Sequence, residues 1–497
     1  AELVAAAGAQ GRGPDFGVLA RRFYRHVTAE DLGADDPAML DVGRLVADLE
    51  DVLALAVDRG EQWANVEVRG DPQAPVAVAQ IVTDDMPFLV DSITSALSLE
   101  GRTVRLVIHP QLVVRRDGAG RLLEVLDVDV DDPRPADALA ESWMRIELER
   151  DFVREDDRRT ADHLRRVLRD VRAAVQDWAT MRTVALRIAA DLQDQPAPGV
   201  AAGDVEEAVA LLQWMADERF VFLGYREYEL QSADALVAVP GTGLGILGEE
   251  HGHAESGASR SFAALPAAVR AKAAEPQLLI LTKANSRSTV HRSGYLDYVG
   301  IKRIGPDGRV LGERRFLGLF SAAAYSESIA HIPVLGRRYQ QVMQAMELVP
   351  GSHSARDLLR FLETYPRDEL FATHTDQLIE IAASVLHLQE RRHTKLYVRL
   401  DDYQRFVSCL VYLPRDRYTT AARLRVEQVL LEAYQATAAD PTALVSESIL
   451  ARVHYVLHLR DQVPEVNLAT LETQVAAAVQ NWADEFVEAV LAEVGQQ

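Results

Sequence analysis

The sequence has little of what would mark a secreted or membrane-bound protein. Its 497 residues include one cysteine, Cys409, which rules out an intramolecular disulfide framework. No apolar run approaches the roughly 20 residues that a membrane-spanning helix needs. The apolar run near the N-terminus has no basic segment before it, so we do not predict a signal peptide. These features predict a cytoplasmic protein without a membrane partner.

Several enzyme signatures are also missing. The sequence has no Gly-x-Ser-x-Gly elbow, no P-loop lysine motif and no His-Glu-x-x-His. The formal net charge of -22 repels nucleic acid at long range, so we predict no nucleic-acid partner. The length exceeds that of one hydrophobic core and predicts several domains. We predict no catalytic residue, no bound cofactor and no metal site in this sequence.

The stretch 78–117 organises the rest of the chain, because it has the order strand, turn, helix, strand, hairpin. A β-branched run comes first and predicts a buried strand. Asp84 or Asp85 is placed to cap the helix that follows, with Pro87 in its first turn. Gly101 is placed to end that helix in the left-handed conformation. A strand that feeds a helix and returns to the same sheet predicts an α/β sandwich.

The segment TDDMPFLVDSI (83–93) resembles the strand-to-helix turn of ACT domains, which are small ferredoxin-like regulatory modules. Three further segments extend this resemblance: ESWMRIELER (141–150), RFVFLGYREY (219–228) and FVSCLVYLPRDRY (406–418). Together they resemble the N-terminal region of the large bacterial NAD-dependent glutamate dehydrogenases. In that family the catalytic domain lies further towards the C-terminus, outside this sequence.

The resemblance implies a parent enzyme that oxidatively deaminates L-glutamate to 2-oxoglutarate and ammonia with NAD. It implies that this segment is a regulatory and oligomerisation part, non-catalytic by itself. Its partners would be the catalytic domain of the same chain and further copies in a homo-oligomer. A rival hypothesis is a free-standing ACT/PAS-type sensor or adaptor for a small metabolite. A reading frame that continues far past Gln497 into a dinucleotide fold would favour the dehydrogenase segment over the free-standing sensor.

The predicted fold class is α+β and multidomain, with two ACT-like (ferredoxin-like α/β sandwich) modules flanking a PAS-like antiparallel-sheet domain. The PAS-like interpretation depends on one helix followed by an antiparallel sheet, and on the family resemblance. The predicted domains are an ACT-like domain with N-terminal helices (1–152), a helical connector and linker (153–199), a PAS-like domain (200–324), a helical segment (325–392) and an ACT-like domain with a C-terminal helix (393–497).

Periodicity predicts an amphipathic helix over 42–56, a strand over 76–82, and two strands over 295–304 and 309–320 that are joined by a turn at 305–308. Residues up to about Gly33 are rich in glycine and alanine, and we expect the chain to be frayed at their start. A helix over 156–180 shows a narrow apolar seam, which comprises Leu164, Leu168, Val171, Val175 and Trp178. Residues 195–199 (QPAPG) are the clearest linker. An apolar stripe predicts one long helix over 468–490.

The turn after the first buried strand is the best ligand candidate. In ACT domains that bind amino acids it commonly reads Asp-x-Pro-Gly, and the glycine lets the ligand approach the backbone. Here Phe88 stands at the glycine position, after Asp84, Asp85 and Pro87. Phe88 would crowd an amino-acid effector. We therefore favour a module-interface turn over an effector site.

Two patterns suggest cofactor or metal sites only at first sight. Residues 243–248 match Gly-x-Gly-x-x-Gly, but no helix-forming sequence follows to meet a pyrophosphate, so a flexible loop is favoured. His251 and His253 stand beside Glu249 and Glu250, yet a third ligand at fixed spacing is missing. A solvated loop is the favoured interpretation.

An acidic cluster follows the predicted hairpin. Asp127, Asp129 and Asp131 would share one face of a strand, with Asp132 adjacent. No glycine stands at the position that a calcium-binding EF-hand loop requires. A solvated strand edge is therefore favoured over a calcium site.

A basic stripe lies on the predicted 156–180 helix. Its arginines are interspersed with aspartates, so an exposed helix with internal ion pairs is favoured over a surface for an acidic partner or an anion. The stripe comprises Arg158, Arg159, Arg165, Arg166, Arg169 and Arg172. Cys409, in an apolar alternation, is predicted to be a core residue rather than a nucleophile.

Overall fold

A computed structural model describes residues 14–28, 30–32, 41–60, 63–70, 76–149, 157–232, 235–249, 274–388, 393–401, 406–446, 448–459 and 464–480. The chain divides into two compact units. Unit 1 comprises Ala1–Ala179, Leu244–Ala254 and Ser286–Tyr295, and unit 2 comprises Thr180–Gly243, Glu255–Asn285 and Leu296–Gln497. Within these described ranges no helix is long and apolar enough to cross a membrane.

The α-helices of the described ranges are α1 (Pro14–Phe23), α2 (Val42–Val57), α3 (Leu89–Leu99), α4 (Asp157–Asp194), α5 (Ala202–Trp214), α6 (Ala322–Ser326), α7 (Leu335–Ala345), α8 (His353–Thr364), α9 (Arg367–Ala372), α10 (Thr375–Leu388), α11 (Thr420–Tyr434) and α12 (Leu468–Val479). The strands are β1 (Ala64–Gly70), β2 (Val76–Asp84), β3 (Val104–Ile108), β4 (Gln111–Arg116), β5 (Leu122–Leu126), β6 (Ala138–Glu149), β7 (Phe220–Ser232), β8 (Ala235–Ala238), β9 (Leu244–Gly245), β10 (Leu279–Arg287), β11 (Tyr295–Ile304), β12 (Val310–Phe320), β13 (Lys395–Leu400), β14 (Phe406–Pro414), β15 (Ala438–Leu444) and β16 (Leu450–His458).

Unit 1 is built on an antiparallel sheet of order β1-β2-β6-β4-β5. The long strand β6 pairs with β2 along one edge, and on the other edge it pairs first with β4 and then with β3. Val82 of β2 lies opposite Trp143 of β6, and both are fully buried. Helices α1 and α2 contribute to the core on this face of the sheet.

The start of the chain, where fraying is expected, lies outside the described residues, and the described part of the N-terminal region begins with helix α1. Helix α1 buries Phe16, Leu19, Ala20 and Phe23 in the unit 1 core. Their spacing of three, one and three residues is that of one helical face.

The middle sheet is antiparallel and has the order β10-β11-β12-β7-β8. The predicted hairpin is confirmed, since β11 pairs with β12 across the turn at 305–308. Helix α5 precedes β7, and a five-residue π-turn, Met215–Arg219, joins them. An antiparallel sheet after a helix is thus confirmed, and the PAS-like arrangement of this region stays a prediction.

Unit 2 ends in a second antiparallel sheet of order β13-β14-β16-β15. One face packs with α11 and α12 around a core that includes Val411, Val453 and Val475. The opposite face meets the helical segment: Tyr397 donates a hydrogen bond to Ser384 of α10 at 2.7 Å. All nine residues of β14 are buried in consequence.

Both α/β modules share one core topology. The second module runs strand, strand, helix, strand, strand, helix, with the order β13-β14-β16-β15. The first module follows the same course once β3 and β4, which lie along one edge of β6, are counted as a single strand, and it adds β5 outside β4. This is the ferredoxin-like sheet with its edge strand placed before the βαββα run instead of after it. The two-layer ferredoxin-like prediction is therefore confirmed for both modules.

Two helix predictions need correction. Helix α4 extends to Asp194, well past the predicted end, and the predicted seam residue Trp178 is exposed. Helix α12 ends at Val479, because Gln480 has extended backbone angles. The rest of the predicted 468–490 helix lies outside the described residues.

Candidate effector or interface turn

The candidate turn joins β2 to α3, and its backbone differs from the prediction. Phe88 is the residue that caps α3, with φ 71° and ψ 2°, and no side chain bonds the free amides of the first helical turn. The prediction that Asp84 or Asp85 caps this helix is wrong, and Pro87 precedes the helix instead of standing in its first turn. Positive φ is uncommon for a residue with a Cβ, and at this position it is the conformation a glycine would favour.

Asp84 is held by two arginines from distant parts of unit 1. Arg59 donates to one carboxylate oxygen at 2.7 Å and Arg172 of α4 donates to the other at 2.6 Å. The Arg172 guanidinium also lies 5.5 Å from the ring centroid of Trp63. The carboxylate therefore ties the end of β2 to α4 and is not left open for a ligand.

Asp85 is bound by strand residues on the other side of the turn. The Ser142 hydroxyl of β6 donates a hydrogen bond to the Asp85 carboxylate at 2.5 Å, and the Gln111 side-chain amide of β4 donates another at 3.0 Å. His109 lies 2.9 Å from the same hydroxyl, and burial lowers the pKa of its imidazole below the usual range. Both carboxylates of the turn thus position the chain on its own module.

Phe88 is covered by residues 288–294, which belong to the same unit. Its ring lies 4.9 Å from the ring of His291. The His291 amide donates to the Ser92 hydroxyl at 2.8 Å, and that hydroxyl donates to the Phe88 carbonyl at 2.5 Å. The approach that a glycine would leave open is filled by two aromatic rings.

A buried acid next to the turn was not predicted. Glu141 is fully buried in β6 and accepts two hydrogen bonds from Arg116, at 2.6 and 2.8 Å, and one from the Trp143 indole at 2.9 Å. Arg59 lies 2.9 Å from the same carboxylate, so it bridges Glu141 and Asp84. The sequence feature that could have indicated this buried acid is a glutamate within a strand, β6, that is buried on both faces.

The other sequence candidates are placed as follows. Asp127 and Asp129 both form ion pairs with Arg22 of α1. The nitrogen–oxygen distances are 2.8 Å for Asp127 and 2.7 Å for Asp129. Both side chains are exposed, as the solvated interpretation predicts, but they do not lie on a strand, because β5 ends before them at Leu126. No cluster of three or more potential metal ligands occurs within the described ranges.

The glycine-rich stretch 243–248 forms the two-residue strand β9 and a tight turn. The Gly245 amide donates to Asp177 of α4 at 2.7 Å. Glu249 closes the described part of this loop, while Glu250, His251 and His253 lie outside the described residues. The geometry up to residue 249 is a turn and does not present a helix N-terminus.

The basic stripe of α4 is partly committed to its own module. Arg165 donates to the Val66 carbonyl at 2.6 Å and also pairs with Asp162, and Arg172 holds Asp84. The predicted internal ion pair is confirmed for Arg165, which pairs with Asp162, whereas Arg172 pairs with Asp84 outside the helix. Cys409 is fully buried in the second module and its core role is confirmed; burial raises the pKa of its thiol above the usual range.

A second polar cluster lies in unit 2 and was also missed. The Lys283 ammonium lies 2.6 Å from Asp297 and 3.0 Å from Asp368, and the Phe320 amide donates to Asp297 at 3.0 Å. These residues border a small pocket, which Phe371 also lines. Burial, reinforced by the charge of Asp368, raises the pKa of Asp297 to about 6.

Two ferredoxin-like modules, a helical segment and an antiparallel middle sheet define a multi-module protein of the ACT class. Comparison with family models agrees with this architecture. Residues 19–168 match the glutamate dehydrogenase ACT1 domain, residues 332–391 match its helical motif 1, and residues 395–483 match its ACT2 domain. Both modules described above are therefore ACT domains of the glutamate dehydrogenase type.

Curated relatives give the same result. An NAD-specific glutamate dehydrogenase of Halomonas elongata is 35% identical over 421 residues, which is 84% of this chain and 26% of the relative. The enzymes of the same name from Pseudomonas aeruginosa and Mycobacterium tuberculosis are 32% and 30% identical, over 85% and 88% of this chain and 26% of each relative. The chain resembles the N-terminal-type region of the NAD-specific glutamate dehydrogenases and spans about a quarter of the length of these relatives.

Proposed function

We propose that this chain is the N-terminal regulatory and oligomerisation segment of a large NAD-dependent glutamate dehydrogenase. The parent enzyme would oxidatively deaminate L-glutamate to 2-oxoglutarate and ammonia with NAD, in the cytoplasm. The observation that carries the proposal is the succession of ACT1, helical motif and ACT2 of that family within one chain. NAD belongs to the parent enzyme in this proposal and not to this segment.

The segment by itself is proposed to be non-catalytic. Support comes from the sheets of the described ranges, whose strand pairs are antiparallel in every case for which the register is known. A dinucleotide fold needs parallel strands joined by crossover helices, with the pyrophosphate at a helix N-terminus. The glycine-rich stretch 243–248 does not provide this context. Its partners are then the catalytic domain of the same chain and further copies in a homo-oligomer.

The turn at Asp84, Asp85, Pro87 and Phe88 acts primarily as an interface element in this proposal. Its carboxylates are bound by side chains of its own module, and Phe88 is stacked on His291. An amino-acid effector remains the alternative occupant. Such an effector would regulate the enzyme only if it bound two conformations with different affinity.

The test is a comparison of two purified proteins: the 497-residue chain, and the polypeptide translated from its full reading frame. We expect glutamate-dependent reduction of NAD only from the full polypeptide, and a concentration-independent oligomer mass from both in light scattering. NADH production by the 497-residue chain would overturn the non-catalytic role. A reading frame that stops near Gln497 would favour the free-standing sensor instead.

Effector binding is tested on the 497-residue chain by thermal denaturation with amino acids and nucleotides. A ligand of the folded state raises the melting temperature in a concentration-dependent manner. A rise with an amino acid that is lost in Asp84→Asn would assign an effector to the turn. A stable oligomer without any such rise would leave the turn as an interface element.

A further inference from the structure

A buried arginine without a partner lies on the second face of the ACT2 sheet. Arg452 stands in β16 and is only 9% exposed. Its Nε and Nη1 atoms are enclosed and have no hydrogen-bond partner, and in the described ranges no other arginine has two such nitrogens. A buried guanidinium that lacks an acceptor destabilises the folded state strongly, because its charge is removed from water without a compensating partner. The fold retains this arrangement although an apolar residue would fill the same place.

A second orphan donor lies beside it. Tyr412 of β14 is the direct cross-strand neighbour of Arg452, and such neighbours have Cβ atoms roughly 5 Å apart. Tyr412 is also buried, and its hydroxyl has no hydrogen-bond partner. Burial raises the pKa of this phenol well above the usual range, so the hydroxyl keeps its proton at neutral pH. The pair therefore presents a cation and a neutral donor with no acceptor between them.

The acids of this region are already occupied. Glu369 of α9 accepts two hydrogen bonds from Arg399, at 2.8 and 2.7 Å, and the nearby Asp401 accepts from the Thr282 hydroxyl at 3.1 Å. The titratable groups that interact electrostatically with Arg452 are the phenols of Tyr412 and Tyr365 and the imidazole of His454, and none of them is a carboxylate. Within the described part of the chain, the positive charge of Arg452 has no acid of its own.

We propose that Arg452 and Tyr412 form a binding site for a small carboxylate where the ACT2 sheet meets the helical segment. A guanidinium presents parallel N–H groups that match the two oxygens of a carboxylate, and the tyrosine hydroxyl supplies a further donor. One unbalanced positive charge suits a monoanion. The site lies in unit 2, so it is separate from the candidate turn of unit 1 and does not depend on the proposed function of the whole chain.

The experiment measures the melting temperature of the 497-residue chain in sodium acetate and in sodium chloride at equal ionic strength. We expect acetate to raise the melting temperature above that in chloride, with a saturable concentration dependence. The extra rise should be abolished in Arg452→Met and reduced in Tyr412→Phe, which removes only the hydroxyl. Arg452→Lys keeps the positive charge but lacks the parallel N–H groups of the guanidinium, so it should also reduce the extra rise in melting temperature. Isothermal titration of the wild type and of these three variants with acetate gives an independent measurement of binding.

Arg399→Met is the matched control on the same face of the same sheet. It removes a paired arginine and leaves Glu369 buried without its partner, so it should be less stable than the wild type in either salt. Arg452→Met removes an unpaired charge, and without acetate it should be at least as stable as the wild type. This contrast separates loss of the binding site from general loss of folding.

The source of the carboxylate is distinguished by glycine. A rise with glycine as well as acetate assigns the site to a free amino acid, whereas a rise with acetate alone assigns it to a carboxylate without a neighbouring ammonium group. Equal melting temperatures in acetate and chloride, or an acetate effect that persists in Arg452→Met, would overturn the proposal. An equal, Arg452-dependent effect of inorganic phosphate would also overturn it, in favour of an unselective anion site.

Discussion

At the scale of single residues, the turn at 84–88 shows how much of a site depends on contacts that the sequence does not reveal. Asp84 is bound by Arg59 and Arg172, which lie 25 and 88 positions away along the chain. Spacing along the sequence could therefore indicate that the acids lie in a turn but could not indicate their partners. The family resemblance identified the turn, and only the fold shows that its carboxylates are occupied.

Phe88 provides a test of backbone strain. Its φ of 71° is unfavourable for any residue with a Cβ, by roughly 1 kcal/mol, and costs glycine nothing. Phe88→Gly and Phe88→Ala both lose the contact with His291, so their difference isolates the backbone. We expect the glycine variant to be more stable than the alanine variant by about 1 kcal/mol in urea unfolding. Equal stability would mean that the turn relaxes once the phenyl ring is removed.

Asp297 makes part of the stability depend on pH. Its pKa is raised from 3.8 to about 6, by burial first and by the charge of Asp368 in addition, because two carboxylates share the single ammonium of Lys283. Folding therefore favours the protonated acid. This contribution is complete below about pH 4 and is lost as the pH rises through about 6, on the order of 2–3 kcal/mol in total.

We expect Asp297→Asn to remove this part of the pH dependence, since Lys283 keeps Asp368 as its partner. The variant should lose less stability than the wild type as the pH rises from about 5 to about 7, on either side of the raised pKa of Asp297, measured by urea unfolding at each pH. Asp137→Asn is the control, because Asp137 is largely exposed and pairs only at the surface with Arg115. A pH profile of Asp297→Asn that matches the wild type would contradict the raised pKa.

At the scale of elements, periodicity predicted most strands and helices because apolar residues recur at the spacing of one face. The strand that begins at Val76, the hairpin of β11 and β12, and helix α2 were confirmed. Strand β15 was missed because it contains Pro441, which lacks the amide that a central strand needs. The structure places β15 at the sheet edge, paired only with β16, where that missing amide leaves no bond unmade.

The helix cap of the first module was mispredicted for a different reason. Two aspartates before a helix are the usual capping signal, but here other side chains bind both carboxylates: Arg59 and Arg172 bind Asp84, and Ser142 and Gln111 bind Asp85. In the second module the equivalent helix follows the rule, since the Thr419 hydroxyl accepts from the Ala422 amide at 3.0 Å. Local capping signals therefore predict a helix start only where no stronger partner reaches the capping side chain.

The two equivalent helices also end differently, which gives an element-scale prediction. Gly101 follows α3 with φ 77°, whereas Gln435 follows α11 with φ 48° and therefore bears the strain of a Cβ in the left-handed region. We expect Gln435→Gly to stabilise the second module by about 0.5–1 kcal/mol in urea unfolding. The reciprocal control is Gly101→Ala, where an added Cβ would meet no atom within 4 Å. Gly101→Ala should lower the free energy of unfolding by a similar amount. If Gln435→Gly is destabilising instead, the Gln435 side chain contributes more to stability than its backbone strain costs.

At the scale of the whole chain, the second ACT module is not a half-exposed sheet. An antiparallel sheet commonly leaves one face to solvent, yet β14 is buried at every position. The cover comes from α8–α10, through contacts such as the ring pair of Phe361 and Tyr412 at 6.3 Å and the ion pair of Glu369 and Arg399. The sequence indicated this only by a nearly unbroken apolar run in β14, a pattern that a buried helix can share.

This two-sided burial predicts that the helical segment and the ACT2 domain form one folding unit. A fragment of residues 393–497 would expose the face that bears Leu410 and Tyr412 and would leave Arg399 without Glu369. We expect it to self-associate in light scattering and to bind a hydrophobic dye, because a large exposed apolar patch promotes association. A fragment of residues 325–497 keeps helices α8–α10 over the sheet, so it should self-associate less and bind less dye. If the shorter fragment is monomeric and binds no more dye than the longer one, the helices are a separable attachment, and the carboxylate site at Arg452 would then be open to solvent in the isolated module.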